Sequence, residues 1–86
     1  MNQAIIFTEL QYWQPELHVM VLPVQINGVT VDCHISVKYL LDGQAHSTDV
    51  AQLMKVFNAK RFDIEDEIEQ FIEDSGGEFD APILLS

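Results

Sequence analysis

The dipeptide Asn27-Gly28 lies between two runs of alternating apolar residues, and it constrains this chain more than any other feature. A type I′ turn needs positive φ at both central positions, which Asn-Gly tolerates better than other pairs, so the dipeptide marks a two-residue hairpin. The turn then sets the register. Ile26 faces Val29, Val24 faces Val31, Leu22 faces Cys33 and Met20 faces Ile35. Side chains alternate along a strand, so these eight share one face. The opposite face carries Gln25, Pro23, Val21 and Val19 across from Thr30, Asp32, His34 and Ser36. The hairpin specifies a core and places the single cysteine in it. It does not specify a reaction.

Eighty-six residues make one domain, spanning 1–86. A chain this short buries only about 60–65% of its unfolded surface, so a partner or dimer contact matters for its stability. No apolar run approaches the roughly 18 residues of a membrane span. The N-terminal segment shows neither a basic start nor a long apolar stretch, and a cytoplasmic address is the expectation. One cysteine excludes an internal disulfide, and no cofactor or metal is implied.

Charge is informative by position. Residues 1–62 hold five acids and four bases; residues 63–86 hold nine acids and no base. Nearly all of the net charge of −10 therefore sits in the last 24 residues. Direct binding of nucleic acid or anionic lipid needs the opposite sign.

Ile5, Ile6 and Phe7 suggest a short edge strand. Residues 9–16 read as a turn region, since Pro15 cannot donate to a ladder. Residues 17–26 and 29–35 are the hairpin arms. Pro23 requires an edge position or a bulge for its missing N–H. Ser36 is placed to cap a short helical turn over 37–42, ended by Gly43, with strand continuation as the alternative. Thr48 or Asp49 caps a further helix. Its apolar stripe is Val50, Leu53, Met54 and Phe57, repeated by Ile64, Ile68, Phe71 and Ile72. One long, bent helix keeps a seam at 50, 54, 57, 61, 64, 68 and 71, with Arg61 its charged member; two helices would instead break near Phe62, with Asp63 as cap. The continuous helix is favoured, because a long side chain such as Arg61 can snorkel. Ser75-Gly76-Gly77 ends the helical region, and Ile83 to Leu85 form a last short strand. The expected architecture is α+β in two layers. An antiparallel sheet of three to four strands, built on the hairpin at Asn27-Gly28, is covered on one face by a long or bent C-terminal helix.

Asp32, His34 and Ser36 match the residue types of a hydrolase triad. They stand side by side along one strand, roughly 6.5–7 Å apart at Cα, and no Gly-x-Ser-x-Gly elbow occurs. The polar outer face of a half-buried sheet is the better account, and the chain is not expected to be an enzyme. Cys33 and His34 point to opposite faces and form no dyad. His18, His34 and His46 lack a metal-binding spacing. The segment 63–74 places Glu65, Asp66, Glu69 and Glu73 off the apolar stripe, with like-charge pairs at i, i+4. A solvated face accounts for this simply; docking to a basic partner surface and mimicry of nucleic acid are the functional alternatives. Tyr12, Trp13, Val19 and Val21 leave apolar surface on the uncovered side of the sheet, with Trp13 the candidate interface anchor.

Trp13, the Val-x-Val arm ending at Gly28, Val31-x-Cys33-x-Ile35-Ser36 and Phe57-x-x-x-Arg61-x-x-Ile64 together resemble a family of short bacterial proteins known as a domain of unknown function. The resemblance spans most of the chain and implies a small bacterial α+β domain with no activity to carry over. Arg61 matches a polar position in that pattern and joins the candidate contacts. The acidic tail departs from the pattern. The functional expectation is a non-enzymatic interaction or regulatory module, either bound to a basic protein or paired as a homodimer. The candidate partner-binding residues are Glu65, Asp66, Glu69, Glu73, Trp13 and Arg61. An acidic nucleic-acid mimic that inhibits a DNA-binding protein is the alternative, and a hydrolase using Asp32, His34 and Ser36 the third.

Overall fold

The computed structural model describes residues 4–41 and 49–86. The hairpin arms are β3 (Val19–Ile26) and β4 (Val29–Ser36), paired antiparallel in the register that the turn dictates, from Ile26 opposite Val29 to Val19 opposite Ser36. Asn27 and Gly28 both hold positive φ, 52° and 85°. The turn is further tied to the chain ahead of β1 (Ile5–Phe7). Asn27 N–H donates to the Ala4 carbonyl at 2.9 Å and Ala4 N–H donates to Asn27 Oδ1 at 3.0 Å.

Among the described residues five strands form the sheet, one more than the upper expectation. The addition is β2 (Tyr12–Gln14), inside the segment read as a turn. It stops just before Pro15, so proline breaks nothing. Both β1 and β2 pair antiparallel with β3, β1 against its Val24–Ile26 end and β2 against its Val19–Val21 end. Tyr12–Gln14, followed at once by Pro15, carries a weak local signal; β2 forms where β3 offers it an open edge.

The gap between β1 and β2 accommodates Pro23. In a two-residue hairpin the pair flanking the turn is hydrogen-bonded, and alternate residues then direct their backbone groups away from the partner strand. Odd-numbered residues of β3 therefore face β1 and β2. Pro23 falls between the two, where no N–H is needed, and its carbonyl accepts the Thr8 hydroxyl at 2.7 Å.

After β4, Ser36 caps α1 (Val37–Leu40), its Oγ accepting from Tyr39 N–H at 3.0 Å. The expected stop at Gly43 and the capping role weighed for Thr48 lie outside the described residues. Asp49 caps α2 (Val50–Ala59) through a 3.0 Å bond from Ala51 N–H. The helix then breaks at Lys60, earlier than Phe62, and resumes as α3 (Arg61–Ser75). Lys60 has φ −99° and ψ 8°. Its N–H still reaches the carbonyls of Val56 and Phe57, and Ile64 N–H reaches its carbonyl. The hydrogen-bond ladder crosses the break, so the two helices form one bent segment, and Asp63 lies within α3 and caps nothing. Gly76, at φ 67°, ends α3. Gly77 N–H bonds the Ile72 carbonyl and Gly76 N–H the Glu73 carbonyl, the paired bonds of a Schellman cap.

Finally β5 (Ile83–Leu85) lies parallel to β4, against Cys33–Ile35. A parallel neighbour requires a long crossover, and α1 to α3 are that crossover. The strand order is β1-β3-β4-β5, with β2 also on β3. The core joins one face of this sheet to the helices. Met20, Leu22, Val24, Ile26, Cys33, Ile35, Ile83 and Leu85 meet Leu40, Leu53, Phe57, Ile64, Ile68 and Ile72.

Candidate functional site

The candidate residues separate into those that hold the fold together and those that face solvent. Arg61 belongs to the first group. It lies in the helical seam, with its side chain 18% exposed. Its Nε donates to Glu65 Oε2 at 2.9 Å, one guanidinium nitrogen donates to Gln11 Oε1 at 3.1 Å, and the other donates to the Thr8 carbonyl. The guanidinium carbon also lies 5.9 Å from the Phe57 ring centroid. A planar fork with donors on several sides can tie α3 to the β1–β2 connection in this way; an ammonium cannot. Glu65 is turned toward Arg61 by the same pairing, so the first of the four expected acids is already engaged.

Trp13 is also part of the fold. It pairs with Met20, so its ring projects to the helix side of the sheet, where it is half-buried against the core. His18, in the left-handed region at φ 54°, stands edge-on to it at 5.6 Å between centroids. The face left open by the helices carries Tyr12 instead.

Asp66, Glu69 and Glu73 are exposed on α3 and hold no ion-pair partner among the described residues. At 100° per residue they fall within about 60° of arc on the outward side, opposite Ile64, Ile68 and Ile72. Phe62 heads the same stripe and is 80% exposed. The sequence reading missed Phe62, although its angle on the helix, off the apolar seam, was available there. Asp63, Asp66 and Glu67 also border an open depression of about 410 Å³, together with Tyr39 and Lys60. Among the described residues, no group of three or more histidine, cysteine or carboxylate side chains is disposed to hold a metal ion.

Asp32, His34 and Ser36 do share the outer face, but no hydrogen bond joins them. The Ser36 oxygen is occupied as the α1 cap. Asp32 and His34 instead line an open depression of about 460 Å³ with Thr30, Val31, Ala81 and Pro82, where β5 stops short of the first half of β4. Cys33 is fully buried. Burial, and to a lesser degree the neighbouring Asp32 carboxylate, pushes its thiol up to about 12. It is a packing residue, protonated at neutral pH, without the thiolate that nucleophilic chemistry needs.

Taken together, the molecule is a small two-layer α+β domain whose acidic residues are concentrated on one helix. It belongs to the family described as "Protein of unknown function (DUF1488)", which matches it over residues 5–85. A crystal structure of a DUF1488 protein of unknown function from Shewanella loihica PV-4 is similar to it throughout. The TM-score is 0.77 at 31% sequence identity, covering 99% of this chain and 94% of that one. No curated protein matches the chain. The family carries no assigned activity. No helix among the described residues is long and apolar enough to cross a membrane.

Proposed function

We propose that this chain is a non-enzymatic protein-interaction module, acting in the bacterial cytoplasm, that docks on a basic protein surface through the outward face of α3. The observation that carries the reading is the stripe Phe62, Asp66, Glu69 and Glu73. Three carboxylates without an ion-pair partner among the described residues follow an aromatic ring that is largely exposed. A helix serving stability alone would place lysines at i+4 from these acids and gain roughly 0.2–0.5 kcal/mol per pair. An exposed aromatic flanked by charge fits a partner with an apolar pocket rimmed by lysine or arginine. Arg61 and Glu65 support this face from within by fixing the start of α3.

Capture from bacterial lysate with tagged protein tests the reading. The wild type is compared with D66N/E69Q/E73Q and with F62S, each at low and high salt. A basic protein retained by the wild type, lost with either variant and released by salt is the expected outcome. A DNA-binding protein among those released would specify nucleic-acid mimicry as the form of docking. Retention unchanged in both variants removes α3 from the function.

A further inference from the structure

The Asn27-Gly28 turn carries a chemistry of its own besides setting the hairpin. The backbone nitrogen that follows an asparagine can attack the side-chain amide and close a five-membered ring. Glycine favours that closure, because it has no Cβ to crowd the approach. Asn2 and Asn58 precede Gln3 and Ala59, so Asn27 is the one asparagine followed by glycine. Asn27 and Gly28 are both exposed, and nothing lies within 4 Å of where a Gly28 Cβ would sit. Water and hydroxide reach both residues.

The folded turn opposes the attack. Asn27 and Gly28 stand at φ 52° and 85°, and a type I′ turn holds its first central residue at ψ of about +30°. At that ψ the Gly28 nitrogen lies nearly opposite Asn27 Cβ across the Cα–C bond, whereas ring closure needs the two eclipsed. The side chain is held as well. Asn27 Oδ1 accepts from Ala4 N–H at 3.0 Å, while Asn27 N–H donates to the Ala4 carbonyl at 2.9 Å. Rotation of backbone and side chain therefore waits for the tip of the hairpin to open. The clasp rests on a slight anchor, since β1 pairs with β3 over only Ile5, Ile6 and Phe7. Such short edge segments open locally, well below the free energy of global unfolding.

We propose that Asn27 is a self-modification site, deamidating through a succinimide at a rate set by its clasp to Ala4. Gly28 N gives its proton to hydroxide and bonds to Asn27 Cγ. The Cγ–Nδ2 bond then breaks, and Nδ2 leaves as ammonia with a proton from water, which returns the hydroxide. One further water opens the ring. Cleavage between Cγ and Gly28 N gives aspartate. Cleavage between the Asn27 backbone carbonyl carbon and Gly28 N gives isoaspartate, with the main chain routed through Cγ. The balance is amide plus water to carboxylate plus ammonium, with nothing oxidised or reduced. Aspartate keeps an acceptor for Ala4 N–H. Isoaspartate lengthens the main chain by one carbon, which a two-residue turn between the paired Ile26 and Val29 cannot absorb.

Peptide mapping by mass spectrometry tests this on the full chain, incubated at neutral and mildly alkaline pH, with aspartate and isoaspartate resolved by chromatography. The wild type, folded and in urea, is compared with folded A4P and I5A. A4P removes the donor to Asn27 Oδ1 and keeps the carbonyl at position 4. I5A loosens β1 where it pairs with Ile26 and leaves the turn and clasp residues in place. The expected result is conversion at Asn27 that rises with hydroxide and runs at least about tenfold faster in urea than in the folded wild type. A4P should convert about fivefold faster than folded wild type, the effect of one ordinary hydrogen bond on the opening equilibrium, and I5A should also be faster. If A4P fails to fold, shown by circular dichroism, I5A decides. No conversion at Asn27 in any folded form overturns the site. Conversion as fast in the folded wild type as in urea, or unchanged in the variants, overturns the control by the clasp.

Discussion

Replacing Arg61 with alanine separates a structural arginine from a partner-contacting one. The substitution removes the donors to the Thr8 carbonyl, to Gln11 and to Glu65, together with the contact over Phe57. Two hydrogen bonds in a half-buried setting, where water partly replaces them in the variant, contribute about 1 kcal/mol each, the typical net value for a protein hydrogen bond. The i, i+4 pair with Glu65 contributes about 0.3–0.5 kcal/mol and the cation–π contact about 0.5 kcal/mol. The expected loss is about 3 kcal/mol. For a domain of this size, where 1 kcal/mol shifts the melting temperature by about 5 °C, the fall is about 15 °C. Thermal and urea melts followed by circular dichroism measure it. Arg61→Lys should recover less than half, because an ammonium cannot span three acceptors in three directions. Glu65→Gln should cost under about 0.5 kcal/mol, since an i, i+4 ion pair on a helix contributes no more than that and glutamine can still accept from Arg61. A melting temperature within about 4 °C of wild type in Arg61→Ala would refute the tie and return Arg61 to the surface available for docking.

Other expectations follow from the same geometry. Gly28→Ala should destabilise by about 1–2 kcal/mol in urea unfolding, from backbone strain alone, because φ is +85° and nothing lies within 4 Å of the added methyl; an unchanged midpoint would contradict the type I′ turn. Asp49→Ala should cost about 1 kcal/mol through loss of the α2 cap, and rescue by Asp49→Ser but not by Asp49→Val would identify the cap as the cause. Cys33 should react with a disulfide reagent only as the protein unfolds; labelling as fast as a free thiol would contradict its burial. The same thiol links stability to pH. Its value rises from 9.0 to about 12 on folding, so between those limits the unfolded chain binds fewer protons than the folded one and stability falls as pH rises. Below pH 9 this group contributes no slope. Urea midpoints from pH 8 to 11 should show an alkaline decline that Cys33→Ala reduces.

Local features of the chain were legible where the physics is local. Asn27-Gly28 sets a turn, the turn sets a register, and eight cross-strand pairs follow because side-chain alternation leaves no freedom. The caps at Ser36 and Asp49 and the glycine stop at Gly76 depend on bonds spanning two to five residues, and their residue types announce them. The buried sides of both helices follow from apolar spacing. Arg61 was visible as an anomaly in that spacing, a charge in the seam, but its partners were not, since Thr8 and Gln11 lie 53 and 50 residues away.

What tertiary structure alone decided is of that non-local kind. Three residues become β2 because the β3 edge is open beside them, and that pairing turns Trp13 to the core and Tyr12 to the solvent side. The helix bends at Lys60 rather than near Phe62, and that bend sets where α3 starts and places Phe62 at the head of its outward stripe. The sequence by itself determined the hairpin, the apolar seam and the one-sided charge, because each arises from neighbours within a turn or a strand. Which edges are open, which aromatic is exposed and which acids remain unpaired were settled only when distant segments met, because burial and pairing belong to the assembled surface and not to any stretch of chain.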